Sequence, residues 1–250
     1  MRCLVKLQFM GTKYHGWQIQ NNAQTVQEVL QNSLSVLLGK ATIVSGCGRT
    51  DTGVHASEFF AHFDTDQSTL PPFLLHKWNG LLPKDIAILE LFEVPDNFSA
   101  RFDAVSRTYG YYMHKEKDPF KNQTSWYFSK ALDFEKMEKA ALKLIDYEDF
   151  QSFCKVKSEN HHYRCIVKEV NFFMFENGYK FEIRANRFLR GMIRAIVGTL
   201  VLVGKGTVNL EGFEKIIESK DRTKAGPTVP AQGLFLEKIE YPQGILRPLV

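Results

Sequence analysis

Polar and apolar residues alternate from Arg2 to Met10, with Cys3, Val5, Leu7 and Phe9 on one side, and this period of two predicts a strand. Thr25-Val-Gln-Glu28 then has the form of a capping box. Val26, Val29, Leu30, Leu34 and Leu37 recur at helical spacing until Gly39, so an amphipathic helix is expected between these two stops. A short β-prone run over 42–47 and a strand over 58–65 follow, the latter with Phe59, Ala61 and Phe63 on one side. Pro71 and Pro72 suit the first turn of a second helix reaching about Leu82, and 86–94 reads as another strand. Strand, helix, strand, strand, helix, strand is the ferredoxin-like order.

The second half has the same element order without a residue-level repeat. A strand over 107–114 carries Tyr109, Tyr111 and Tyr112, and Asp133 caps a helix lined by Phe134, Met137, Ala140, Ala141, Leu144 and Ile145. Strands over 165–175 and 179–185 flank Glu176-Asn177-Gly178, where Asn-Gly is expected to supply the positive φ of a tight hairpin. Leu189, Met192, Ile193, Ile196 and Leu200 line a helix over 189–203, Asn209 starts a shorter one to about Lys220, and 234–241 supplies a final strand. The expected fold is therefore α+β: two ferredoxin-like, RRM-like lobes, 1–103 and 104–250. Each has a mainly antiparallel sheet and helices on one face, with an active-site cleft between the lobes.

Composition adds limits. The 250 residues are 44% hydrophobic and 24% charged, as in an ordinary globular protein, and the net charge of +4 permits a polyanionic partner without demanding one. No run of about 18 apolar residues is present and the first ten residues do not form a signal peptide, which excludes a membrane span and points to the cytoplasm. Cys3, Cys47, Cys154 and Cys165 form no C-x-x-C pair and read as reduced thiols. The spacing of Cys154, His161, His162 and Cys165 fits no usual zinc site, so no metal is expected.

The chemistry concentrates in Gly46-Cys-Gly-Arg-Thr-Asp-Thr-Gly-Val-His-Ala56. Glycines on both sides allow tight backbone around a single acid, Asp51, which is either a nucleophile or general base, or a turn cap bonding nearby amides. Arg187, Arg190 and Arg194 fall at i, i+3 and i+7, which gives either a solvated basic helix face or, at Arg194, a sheltered guanidinium seeking a carboxylate such as Asp51. Lys205, Lys215, Lys220, Arg222 and Lys224, taken with the tyrosines and Trp17, suggest a groove for a phosphate backbone. Tyr14 and Trp17 either stack on bases or cover the end of a core. Two other functions fit parts of this pattern. A non-catalytic RNA-binding protein accounts for the basic and aromatic residues but gives Asp51 no work. A hydrolase would use Cys47 or Asp51 with His55 or His62, which match no usual zinc spacing.

Seven segments together resemble the TruA family of tRNA pseudouridine synthases over nearly the whole chain. They are Tyr14-His-Gly-Trp-Gln-Ile-Gln20, Gly48-Arg-Thr-Asp-Thr-Gly-Val-His-Ala56, Ala100-Arg-Phe, Arg107-Thr-Tyr-Gly-Tyr111, Asp149-Phe-Gln-Ser-Phe-Cys154, Phe188-Leu-Arg-Gly-Met-Ile-Arg-Ala-Ile-Val-Gly198 and Pro230-Ala-Gln-Gly-Leu234. Thr52 and Val229 depart from the family's usual Ala, and the Arg190-Gly191 pair falls at a variable site. The resemblance implies isomerisation of uridine to pseudouridine at positions 38 to 40 of the tRNA anticodon stem-loop, by a homodimer without metal or organic cofactor. It implies that Asp51 is the nucleophile and that Tyr109 stacks on the target uracil. Arg194 would pair with Asp51, and Arg49 would fill the space of the extruded nucleotide. Whether attack falls on C1′ or C6 is open.

Overall fold

The computed structural model describes residues 1–67, 69–156 and 162–249. In chain order its elements are β1 (Arg2–Phe9), α1 (Val26–Leu38), β2 (Ser45–Gly46), β3 (His55–Asp64), α2 (Leu74–Leu81), β4 (Ile86–Val94), β5 (Ser106–His114), β6 (Trp126–Tyr127), α3 (Phe134–Leu142), β7 (Val167–Phe175), β8 (Gly178–Ala185), α4 (Met192–Gly204), α5 (Leu210–Glu218), β9 (Leu234–Glu240) and β10 (Arg247–Pro248). The fold is α+β with mostly antiparallel pairing, and the chain divides into two compact units, Met1–Val105 with Phe235–Val250, and Ser106–Leu234.

In the first unit the strands run β10-β4-β1-β3-β9, with β2 paired to β3. β1 lies between two antiparallel neighbours, and its Leu4, Val5 and Leu7 are fully buried. Thr25 caps α1 as expected, its Oγ1 accepting from the Glu28 amide at 3.4 Å, and Gly39 closes α1 at φ 68°. Trp78 of α2 packs edge-on against Phe63 and donates to Ser33 Oγ of α1 at 2.8 Å, which joins the two helices over the sheet. The prolines do not lie in the first turn of α2. They precede Phe73, which occupies the left-handed region at φ 59°, and the helix begins only at Leu74.

The last segment also departs from the expected 104–250 boundary. β9 runs parallel to β3, pairing His55 with Phe235 and Ala56 with Leu236. The Ile239 amide donates to Glu58 at 2.8 Å and the Tyr241 hydroxyl to the Ala100 carbonyl at 2.7 Å. These bonds tie residues from 235 onward to the first unit, so the second unit ends at Leu234.

In the second unit β5, β8 and β7 are antiparallel neighbours, and α3, α4 and α5 pack together. Asp133 and Asn209 cap α3 and α5 through their side chains, as their positions predict. The β7–β8 hairpin forms with Phe175 opposite Gly178, but residues 176–178 show no positive φ. Gly178 serves a close approach instead, since a Cβ there would lie 2.4 Å from the Met113 carbonyl oxygen. Gly191, at φ 71°, breaks the run before α4. Arg187 and Arg190 therefore precede the helix, and only Arg194 lies on it, so the shared basic helix face does not exist.

Candidate active site

The Asp51 loop spans the connection between β2 and β3, and its anchor is the segment from Gly11 to Trp17. The Trp17 amide donates to the Thr50 carbonyl at 3.4 Å, and the Gly53 amide to the Tyr14 carbonyl at 3.3 Å. Within the loop, the Val54 amide donates to the Asp51 carbonyl at 3.1 Å. Two glycines allow this contact: a Cβ on Gly16 would meet the Thr50 oxygen at 2.2 Å, and one on Gly11 the Val54 oxygen at 2.0 Å. Gly16 also stands at φ 82° and Gly53 at φ 78°, backbone that a side chain would strain. Asp51 is half-buried at the centre of this arrangement and Arg49 beside it is exposed.

The anchor is fixed from behind. Trp17, 1% exposed, stacks on Phe59 with ring centres 4.2 Å apart, and its indole lies where a Cβ on Gly46 would clash. Tyr14, 3% exposed, donates its hydroxyl to Asp85 Oδ1 at 2.7 Å, and burial together with that carboxylate pushes the phenol well above its ordinary range. Both aromatics therefore cover the core and neither is a platform for bases. His55 is fully buried, accepts the Gly11 amide on Nδ1 at 2.9 Å and packs against Phe235. His62 Nδ1 likewise accepts the Ala100 amide at 3.2 Å, and burial holds its pKa below the ordinary value. Each candidate base of a hydrolase thus spends a ring nitrogen on a backbone amide, and Cys47 is buried.

In the second unit, Tyr109 lies on β5, half-buried, edge-on to Phe188 with ring centres 5.2 Å apart. Tyr111 is fully buried and gives its hydroxyl to the Pro230 carbonyl at 2.8 Å. Arg194, in the first turn of α4 and half-buried, donates Nε–H to the Val229 carbonyl at 2.6 Å, and the Val229 amide returns a bond to the Arg194 carbonyl at 3.3 Å. Sequence reasoning singled out Val229 and the segment from Pro230 to Leu234 but missed the contact with Arg194, because no periodicity marks it.

The expected basic groove is partly taken up internally. Lys215 pairs with Glu211 at 2.6 Å, Lys220 with Asp149 at 3.0 Å, and Arg222 donates to the Gly226 carbonyl and to Thr228. Arg187 lies 3.0 Å from a ring nitrogen of His162. His161, of the possible zinc set, lies outside the described residues. Among those described, no three His, Cys, Asp or Glu could hold a metal ion, and burial pushes the Cys165 thiol up to about 12. Among them, too, no helix is long and apolar enough to cross a membrane.

Residues 140–242 match the tRNA pseudouridine synthase family. The chain is 43% identical to tRNA pseudouridine synthase A of Parabacteroides distasonis over 97% of its own length and 96% of that protein's. It is 44% identical to the protein of that name from Bacteroides thetaiotaomicron, over 98% of this chain and 92% of the other. With the Bacteroides fragilis protein of the same name it shares 45% identity, over 98% of each. Identity at this level across nearly the full length of both partners means that the chain belongs to the tRNA pseudouridine synthase A family.

Proposed function

We propose that this protein isomerises uridine to pseudouridine at positions 38 to 40 of the tRNA anticodon arm, as a cytoplasmic homodimer, with Asp51 as the nucleophile. The observation that carries the reading is the construction around Asp51: a half-buried carboxylate on a loop whose position is set by main-chain bonds to a buried anchor. The family's activity supplies the reaction, and this construction supplies a rigid carboxylate to perform it.

The glycosidic bond of a stacked nucleotide is out of reach of any side chain, so the uridine leaves the stack at a cost of a few kcal/mol. Arg49, exposed beside the acid, fills the space it leaves. The Asp51 carboxylate forms a bond to C1′ or C6 and the bond from C1′ to N1 breaks; the uracil turns, C1′ joins C5 and the bond to Asp51 breaks, which restores the carboxylate, while C5 gives up its proton and N1 gains one. Tyr109 stacks on the uracil and takes part in that proton transfer. Arg194 pairs with the attacking carboxylate. The reaction is a rearrangement with no net change of oxidation state, so its electron balance asks for no redox group. The reading includes two ferredoxin-like lobes, and the strand order β4-β1-β3-β2 supports that description for the first unit.

The test is incubation with an anticodon-arm RNA followed by mapping of modified sites. Pseudouridine is expected at 38, 39 or 40 wherever uridine stands there. Product confined to other positions, or none, would overturn the assignment.

A further inference from the structure

Tyr111 and Thr199 are both fully buried, and neither has a part in the steps above. Their hydroxyls end on one segment, residues 222–233. Thr199 Oγ1 donates to the Ala195 carbonyl of its own helix and accepts the Gly226 amide, each at 2.8 Å. The segment lies so close to α4 that a Cβ on Gly198 would stand 1.8 Å from the Pro227 oxygen, and one on Gly226 would stand 2.6 Å from the Gly198 backbone. Further along, Gly233 lets the chain pass the Tyr111 ring, where a Cβ would sit at 2.8 Å. Between these contacts Val229 accepts from Arg194, and Tyr111 donates to the adjoining Pro230.

The geometry matters because the Val229 and Pro230 carbonyls are successive. The proline ring fixes φ, here −54°, so pinning the Pro230 oxygen leaves the Val229 oxygen little freedom. Burial raises the Tyr111 phenol above its ordinary range, and the positive charge of Arg194 acts in the opposite direction. We propose that Tyr111 is a positioning residue: through Pro230 its hydroxyl fixes the Val229 carbonyl that aims Arg194, while Thr199 holds the same segment through Gly226. This rests on the reading that Arg194 pairs with the attacking carboxylate.

The test uses the full chain and anticodon-arm RNA. Tyr111→Phe keeps the ring and removes one hydrogen bond. Its kcat should fall roughly tenfold, as when outer-shell supports are lost, with KM within about twofold. A misaimed guanidinium orients the attacking group less well without weakening RNA binding, so the loss falls on kcat and not on KM. Thr199→Val should act in the same direction, and Thr199→Ser should restore kcat. A Tyr111→Phe protein that melts earlier but keeps wild-type kcat would overturn the proposal. If Tyr111→Phe does not fold, the Thr199 pair decides. Arg194→Lys separates the two ideas: if it leaves kcat unchanged, the role of Arg194 fails. If it impairs kcat while the Tyr111 and Thr199 variants do not, only the positioning fails.

Discussion

The Asp51 loop and the first turn of α4 solve one problem in different ways. Each must hold a charged side chain still on a short stretch of chain, and each uses glycines to bring two backbones within contact, Gly11 and Gly16 in the first unit and Gly198 and Gly226 in the second. Around Asp51 the fastening bonds run through main-chain atoms of Thr50, Asp51, Gly53 and Val54. At α4 the Arg194 side chain itself does part of the fastening, because its Nε holds the Val229 carbonyl. The main-chain bonds of the loop do not depend on which side chain stands at 51, whereas the guanidinium is itself part of the scaffold.

Stability measurements can break or sharpen this contrast. The largest effect is expected from Gly198→Ala, whose methyl would overlap the Pro227 oxygen: about 3 kcal/mol or more, read as a fall in melting temperature. Gly16→Ala should cost roughly 2 kcal/mol, from left-handed strain and the approach of Thr50, and should depress activity more than stability because it displaces the Asp51 loop. If Gly16→Ala is as stable and active as wild type, the loop does not depend on its anchor. Tyr14→Phe removes one hydrogen bond, to Asp85, and should cost about 1 kcal/mol in denaturant titration.

The smallest effect is a pH dependence. Burial first, and then the charge of Arg2, hold His62 below its ordinary 6.5 in the folded chain. The unfolded chain therefore binds the proton more readily, and stability is full above that value and declines as pH falls through it. His62→Gln should flatten the decline in unfolding free energy between about pH 7 and pH 5.5; an unchanged slope would show that His62 does not contribute.

The parts of the fold that follow local rules could be read from sequence. Thr25 with Glu28, Gly39, Asp133 and Asn209 set helix ends through bonds within a turn, and a short window contains both partners. What escaped depends on a single torsion or on distant partners. Phe73 and Gly191 each take a left-handed φ that delays a helix, and the periodicity of the following residues runs straight through both points. The return of 235–250 to the first unit rests on His55, Glu58 and Ala100, more than a hundred residues away. The Asp51 loop was recognisable from its glycines and its acid. The buried Tyr14 and Trp17 looked equally suited to stacking on bases, because composition does not tell a covered aromatic from an open one. The 222–233 segment has no periodicity, so its contact with Arg194 had no signal beyond the small residues that permit it.

The account depends most on Asp51 as an attacking group held by backbone. Single-turnover release of tritium from uracil C5 of labelled tRNA by Asp51→Asn, with melting and RNA affinity measured on the same preparation, tests it most directly. The expected result is a rate reduced by roughly a thousandfold or more, with affinity and melting temperature close to wild type. Turnover near the wild-type rate would contradict the account.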